Sequence, residues 1–401
     1  MPKLKVLFLQ ATPTFGGDVV VHELLVRFCD QQRIEPHVAC LPELEGQDSR
    51  FLSRMRETAG VRVRPTLFAP NVHLRSGAVV SAAALRALGP AAQSLMGLCA
   101  YVRREGIDVV HSLDRVRDSV AGQLVARLGG ARLVIHMHAK LGEWVSPLAK
   151  TAMKHADALI GVSDFVVQSA AALGYPPPKL HCVHNGIDLE RWDVNLDGGA
   201  IRDEFRIPRE LPVFVYSGRF NTWKGPQRLV RAAGRLKRLG HDFRVLMVGD
   251  EDVAAPPPNR VSIASLRELA AQERVLDNLV FTGFRADLPR IFAAADVYAM
   301  PTFEEPFANV FLEAMAMRKP VLGLDSGGVP EAVEHGRSGL LAPPDDLEAF
   351  TAHMARLIRE PLLRVELGAY GRKRVEEQFR AVRMASEVEQ VYRLVARRAA
   401  A

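Results

Sequence analysis

Asp296-Val-Tyr-Ala-Met-Pro-Thr-Phe-Glu-Glu-Pro-Phe-Ala-Asn-Val-Phe-Leu-Glu-Ala-Met-Ala-Met317 is the stretch from which the rest of the chain reads. Asp296 opens a run of strand length that is apolar from Val297 to Met300. After Pro306 the pattern turns helical, and proline is well placed in a first helical turn. Two glutamates, Glu305 and Glu313, stand eight residues apart in it. The spacing puts Glu305 at the mouth of a helix and Glu313 about two turns inside. At ~1.5 Å per residue that is roughly 12 Å. A helix N-terminus between them offers free N–H groups to an anion or to sugar hydroxyls. One ligand touching all three features has a sugar, a diphosphate and a ribose in a row.

Outward from this stretch, short β-branched runs alternate with longer helical ones. Strands are expected at Lys5–Leu9, His37–Cys40, Val61–Val63, Asp108–His111, Leu133–His136, Ala158–Val162 and Leu180–His184. A second series runs through Val213–Ser217, Phe243–Val248, Leu279–Phe281, Asp296–Met300, Pro320–Leu324 and Gly339–Ala342. Strand–helix alternation means βαβ units and parallel sheets. The fold class is therefore α/β, with two doubly wound domains. The join falls near Asp188 to Leu211, where Asp-Gly-Gly and Asp-Glu clusters break the periodicity. Ligands of such folds sit at the carboxyl ends of the strands, here in a cleft between the domains. Val375 to Arg398 reads as one long amphipathic helix.

The 401 residues leave room for two or three domains, and 48% hydrophobic with 24% charged residues is an ordinary soluble composition. Cys29, Cys40, Cys99 and Cys182 show neither close pairing nor metal-ligand spacing, which fits buried thiols in a reducing compartment. The first apolar run is too short for a signal peptide, and no run of about 18 apolar residues is present. The net charge is +6. Arg50 to Arg104 holds nine arginines and one acid, Glu57, or 9 − 1 = +8. That excess favours an anionic surface, polymer or lipid; the alternative is a solvated basic face. Aromatic residues are not interleaved there, which argues against nucleic acid.

The glutamate pair resembles the E-x7-E motif of the retaining glycosyltransferases of the GT-B fold, family GT4. Other segments share the resemblance. Ser217-Gly-Arg-Phe-Asn-Thr-Trp-Lys-Gly225 is similar to the family's glycine-arginine…lysine-glycine turn. Pro13-Thr-Phe-Gly-Gly-Asp18 resembles its N-terminal glycine loop, and His184-Asn-Gly-Ile-Asp188 its interdomain turn. The resemblance implies GT-B architecture: two Rossmann-like domains, at 1–190 and 200–375, with a C-terminal helix of about 380–401 crossing back to the first.

It also implies roles. Arg219 and Lys224 would stabilise the leaving diphosphate, in place of a metal. Glu305 would meet sugar hydroxyls and Glu313 the ribose. His138 would face the donor sugar; His136 shares its strand face, and only the strand-end position favours His138. His111 is a further candidate for that rim. Gly16 and Gly17 bring backbone N–H groups close to a phosphate or hydroxyl, without the third glycine of a dinucleotide fingerprint. Backbone groups of Phe307, Ala308 and Asn309 would complete the sugar site, and Phe284 and Arg285 would meet the base. Gly249-Asp-Glu-Asp252 carries the Asp-x-Asp that binds metal in the other large transferase fold, but it reads here as a loop. Arg318 replaces a usual helix-ending glycine, at a cost of ~1 kcal/mol if left-handed.

The expected activity is that of a retaining, metal-independent hexosyltransferase. It would use a UDP- or GDP-sugar and a glycan or lipid-linked acceptor, in cell-surface polysaccharide or lipopolysaccharide synthesis. The expected location is cytoplasmic, with peripheral contact at the inner face of an anionic membrane. No cofactor is expected. A nucleotide-sugar epimerase and a non-catalytic GT-B subunit are the rival readings.

Overall fold

The structure is a computed structural model that describes residues 3–12, 16–43, 50–68, 82–307 and 309–400, with the backbone alone for 82–87 and 397–400. Ala308, Pro13–Phe15 and part of the basic segment lie outside these residues. The chain divides into two compact units, one of residues 1–186 and 381–401 and one of 187–380.

Unit 1 is built on seven parallel strands: β1 (Leu4–Gln10), β2 (Ile34–Cys40), β3 (Arg62–Pro65), β4 (Val109–Leu113), β5 (Arg132–Met137), β6 (Ala158–Gly161) and β7 (Leu180–Cys182). Their order is β3-β2-β1-β4-β5-β6-β7. Both faces are covered by helices, so the central strands are apolar almost throughout; Val6 to Leu9 are all buried. The helices are α1 (Gly17–Phe28), α2 (Arg50–Glu57), α3 (Ala82–Glu105), α4 (Val116–Gly129), α5 (Pro147–His155) and α6 (Asp164–Ala172).

Unit 2 holds six parallel strands: β8 (Val213–Ser217), β9 (Arg244–Val248), β10 (Leu279–Gly283), β11 (Val297–Ala299), β12 (Val321–Leu324) and β13 (Gly339–Ala342), in the order β10-β9-β8-β11-β12-β13. Its helices are α7 (Gly199–Glu204), α8 (Pro226–Arg238), α9 (Ile263–Gln272), α10 (Leu288–Ala294), α11 (Asn309–Ala316), α12 (Val329–Ala332), α13 (Leu347–Arg359) and α14 (Pro361–Gln378). In each sheet the winding reverses once, between β1 and β4 and between β8 and β11. Open α/β sheets bind ligands at the carboxyl ends of strands flanking such a reversal.

The stretch from Asp188 to Leu211 packs within unit 2. Buried Arg202 donates to the carbonyls of Ala294, Pro208 and Leu211 and pairs with Asp296 at 2.9 Å. The Val375–Arg398 pattern is two helices, not one. After α14 the helix breaks at Phe379 and Arg380, where the Phe379 carbonyl accepts the Ile187 N–H at 2.9 Å. It then re-forms as α15 (Ala381–Ala400). Met384, Val388, Val391 and Tyr392 of α15 join the core under α1 in unit 1. Arg318 does adopt the left-handed conformation, with φ 54°.

Candidate active site

Two loops meet at the unit 2 reversal: 218–225 after β8 and 300–307 after β11. Two glycines let them approach. Gly225 has φ +70°, and a Cβ there would lie 2.1 Å from the Pro301 carbonyl oxygen. Gly327, after β12, has φ +64° and would put a Cβ 2.5 Å from the Glu305 carbonyl oxygen. No side chain fits either place, so Lys224 and Glu305 are held by backbone packed on backbone.

The result is a connected polar network. Lys224 Nζ donates to Glu305 Oε2 at 2.5 Å, and the Thr302 hydroxyl donates to the same oxygen at 2.9 Å. Glu305 Oε1 has no partner among the described residues. Arg219 Nη1 pairs with Asp252 Oδ1 at 3.2 Å while most of its side chain is exposed. Buried Asp252 also accepts from Asn221 Nδ2 at 2.9 Å, and Asn221 Oδ1 accepts the Lys224 backbone N–H at 2.9 Å. Asp252 and Asn221 thus fix both cations from beneath. The Asp-x-Asp loop therefore meets the cation site, through Asp252. Sequence reasoning placed neither Asp252, Asn221 nor Thr302 in the site. Loop residues carry no periodicity, and only the Asp-x-Asp spacing drew attention to Asp252.

The helix after Glu305 starts later than expected. Pro301 to Phe307 is irregular and α11 begins at Asn309. Glu313 is thus one turn inside the helix rather than two, and the helical-rise distance does not carry over an irregular loop. The Asn309 N–H is spent on the Phe307 carbonyl at 2.9 Å. Phe307 is buried, its ring 5.8 Å from that of Phe379. Burial pushes the Glu313 carboxyl up to about 7, with Arg191 opposing. Glu313 accepts no side-chain hydrogen bond among the described residues. At the end of β10, Phe284 projects with 70% of its surface exposed. Arg285 is committed elsewhere: it grips Asp287 at 2.8 Å and Glu204 at 2.6 Å, tying α7 to the start of α10.

In unit 1, Gly16 caps α1 and Gly17 is its first residue. The first turn of α4 grips this loop at both ends. Asp118 accepts the Ala11 N–H and the Thr12 hydroxyl, each at 2.7 Å, and Arg115 pairs with Asp18 at 2.7 Å. His138 follows β5, and its backbone N–H donates to Asp114 Oδ2 at 3.0 Å. Burial, with His22 and Arg115 adding, lowers the His138 imidazole to about 3, so it is neutral at physiological pH. His136 is wholly buried beneath it, the two rings 4.5 Å apart. His111 is a core residue rather than a rim residue, bonded to the Tyr392 hydroxyl at 2.7 Å. Burial also pushes Asp114 up to about 7.

The basic segment is less unbalanced in space than in sequence. Arg54 pairs with Glu23 at 2.7 Å, Arg62 with Glu35 at 3.1 Å, and Arg104 with Glu105 at 3.0 Å. All three acids lie outside the Arg50–Arg104 window. No helix of the described residues is long and apolar enough to cross a membrane.

Comparison with known proteins adds to this geometry. Residues 15–191 match the family model "Glycosyltransferase Family 4", and residues 198–374 match "Glycosyl transferases group 1". The chain is 32% identical over 302 residues to the alpha-maltose-1-phosphate synthase of Mycolicibacterium smegmatis, covering 71% of this chain and 72% of that protein. It is 30% identical over 269 residues to the GDP-mannose-dependent alpha-(1-6)-phosphatidylinositol monomannoside mannosyltransferase of the same organism, covering 63% and 68%. Among solved structures, Anabaena HepE in complex with UDP superposes with a TM-score of 0.78 at 20% identity, covering 96% of this chain and 99% of that one. At that identity the likeness speaks for the fold.

Proposed function

The chain belongs to glycosyltransferase family 4, and from that membership we propose that it moves a hexose from a UDP- or GDP-sugar to a hydroxyl of a glycan or lipid-linked acceptor, with retention at the anomeric carbon. The observation that carries this reading is the network joining Arg219, Lys224 and Glu305 at the unit 2 reversal. As the glycosidic bond breaks, negative charge collects on the β-phosphate. Arg219 and the Lys224 ammonium are the cations placed to offset it. Glu305 orients that ammonium through Oε2 and keeps Oε1 for a sugar hydroxyl. The acceptor oxygen attacks from the face the diphosphate leaves, and its proton passes to a departing phosphate oxygen. The carboxylate of Glu313 accepts the ribose hydroxyls, neutral His138 a sugar hydroxyl, and Phe284 stacks on the base. No metal is assigned to the step.

The donor follows from a thermal-shift screen of UDP- and GDP-sugars, because a bound donor stabilises the folded state by mass action. A shift with one donor, reduced in Glu313→Gln, supports the reading. Product of inverted configuration by NMR overturns retention. Nucleoside diphosphate released only with an acceptor excludes an epimerase.

The acceptor reading rests on arginines with no acidic partner among the described residues, such as Arg56 and Arg103. An anionic or membrane-held acceptor requires salt-sensitive co-sedimentation with anionic vesicles. Equal, negligible binding to anionic and neutral vesicles leaves a small soluble acceptor.

A further inference from the structure

Cys182 closes β7, the edge strand of the unit 1 sheet, and His184 follows two residues later. Asp164 opens α6 directly behind its cap, Ser163. The register sets Cys182 opposite Gly161 of β6, so the end of β7 and the start of α6 share one edge of the sheet. The donor atoms of Asp164, Cys182 and His184 lie within 4.8 Å of one another. Cys182 Sγ and His184 Nε2 are 3.8 Å apart. A thiolate and an imidazole bound at roughly 2.3 Å and 2.05 Å to one tetrahedral ion are separated by about 3.6 Å.

A nucleophilic triad does not fit this arrangement. There the carboxylate sits behind the imidazole, far from the sulfur. Here carboxylate, sulfur and imidazole converge. One soft thiolate, one borderline imidazole and one carboxylate select zinc over magnesium or calcium, which take oxygen ligands.

We propose that Asp164, Cys182 and His184 form a binding site for zinc. Unit 1 supplies three protein ligands, and a tetrahedral ion takes one further donor. The ion staples a three-residue edge strand to the neighbouring helix, just before Asn185 and Gly186, where the first segment of unit 1 ends. Binding converts the Cys182 thiol to thiolate and releases its proton to solvent. The proposal uses none of the residues assigned to the diphosphate and does not depend on the transfer reaction.

The test uses the full-length chain, stripped of metal by chelation and dialysis, then titrated with Co²⁺ as a spectroscopic stand-in. The expected result is a near-ultraviolet thiolate-to-cobalt charge-transfer band that saturates at one ion per chain. Intense visible bands of tetrahedral Co²⁺ accompany it, and Zn²⁺ bleaches both. Cys182→Ala removes the charge-transfer band; His184→Ala and Asp164→Asn weaken binding. Zn²⁺ raises Tm in a concentration-dependent way in the wild type and not in Cys182→Ala. A wild-type chain with no charge-transfer band overturns the proposal, as does a Zn²⁺ shift that survives in the triple variant.

Discussion

Lys224 Nζ lies 2.5 Å from Glu305 Oε2 although 81 residues separate them in sequence. The ammonium is therefore partly neutralised before any donor arrives, and its position is set by a carboxylate that belongs to the sugar side of the site. Because charge on the leaving diphosphate peaks in the transition state, Lys224→Ala is expected to lower kcat more than it weakens donor binding, by on the order of 3 kcal/mol in the barrier. Glu305→Gln lowers kcat as well, and the double variant loses less than the two single losses added, since each single change disables the same pair. Unchanged kcat in Lys224→Ala at saturating substrates removes the lysine from the mechanism.

Asp252 gives a second test of the same network. Its carboxylate is buried, holding Arg219 on one oxygen and Asn221 on the other. Asp252→Asn keeps the shape but places an amide donor beside a guanidinium. We expect kcat/KM to fall about 10- to 100-fold, or roughly 1.4–2.7 kcal/mol. Steady-state kinetics beside a melting curve separate the possibilities. A lower Tm with unchanged kcat/KM makes Asp252 a purely structural residue.

The contrast between these residues explains what was legible in the chain. The central strands are legible as bounded apolar runs because those of a doubly wound sheet are buried on both faces; the edge strands β3 and β7 are only partly buried, and alternation with helices places them. The motif around Glu305 is recognised by its likeness to the family's E-x7-E pattern, while periodicity marks only the strand before it and the helix after it. The start of α11 was not. Pro306 fits a first helical turn, yet the chain stays irregular through Phe307, where close packing of Gly327 on Glu305 overrides local preference. Asp252 and Asn221 carry no period, and their roles exist only once β8 and β9 lie side by side. The charge of the basic segment depends on folding in the same way. The +8 of Arg50 to Arg104 ignores Glu23, Glu35 and Glu105, which folding brings to Arg54, Arg62 and Arg104.

If Arg219 and Lys224 take the place of a metal at the diphosphate, transfer persists in excess EDTA. The assay is release of nucleoside diphosphate in the presence of acceptor, with and without chelator. Activity lost on chelation and restored by Mn²⁺ or Mg²⁺ assigns a catalytic metal. Restoration by Zn²⁺ alone, with matching changes in Tm, points instead to the Cys182 site.

Glu313 predicts a pH dependence of donor binding. Burial places its carboxyl at about 7, so the ionised form, which accepts from both ribose hydroxyls, is lost as pH falls through that value. The diphosphate of a nucleotide sugar does not titrate in this range. The apparent Kd for donor should rise about tenfold by one pH unit below the midpoint, in proportion to the fraction ionised. In Glu313→Gln, binding is weaker and flat with pH. Calorimetry from pH 8 to pH 6 decides it, and a flat wild-type profile removes Glu313 from the ribose.

His136 supplies the last prediction, on stability. It is wholly buried, and neither ring nitrogen has a hydrogen-bond partner among the described residues. Burial, with His138 adding, holds its pKa well below the ordinary 6.5. A lowered folded pKa means that the unfolded chain binds the proton first. Stability from this site is therefore complete above pH 6.5 and is lost as pH falls below it. The loss approaches about 1.4 kcal/mol per pH unit, until the folded pKa is reached. An apolar ring of similar size needs no hydrogen bond and takes no proton. His136→Phe is thus expected to match the wild type near pH 8 within about 1.5 kcal/mol and to gain on it steadily from pH 6.5 to pH 5. The measurement is urea unfolding of both proteins across that range. A stability difference that does not change with pH would mean that the buried imidazole is not kept neutral by the fold.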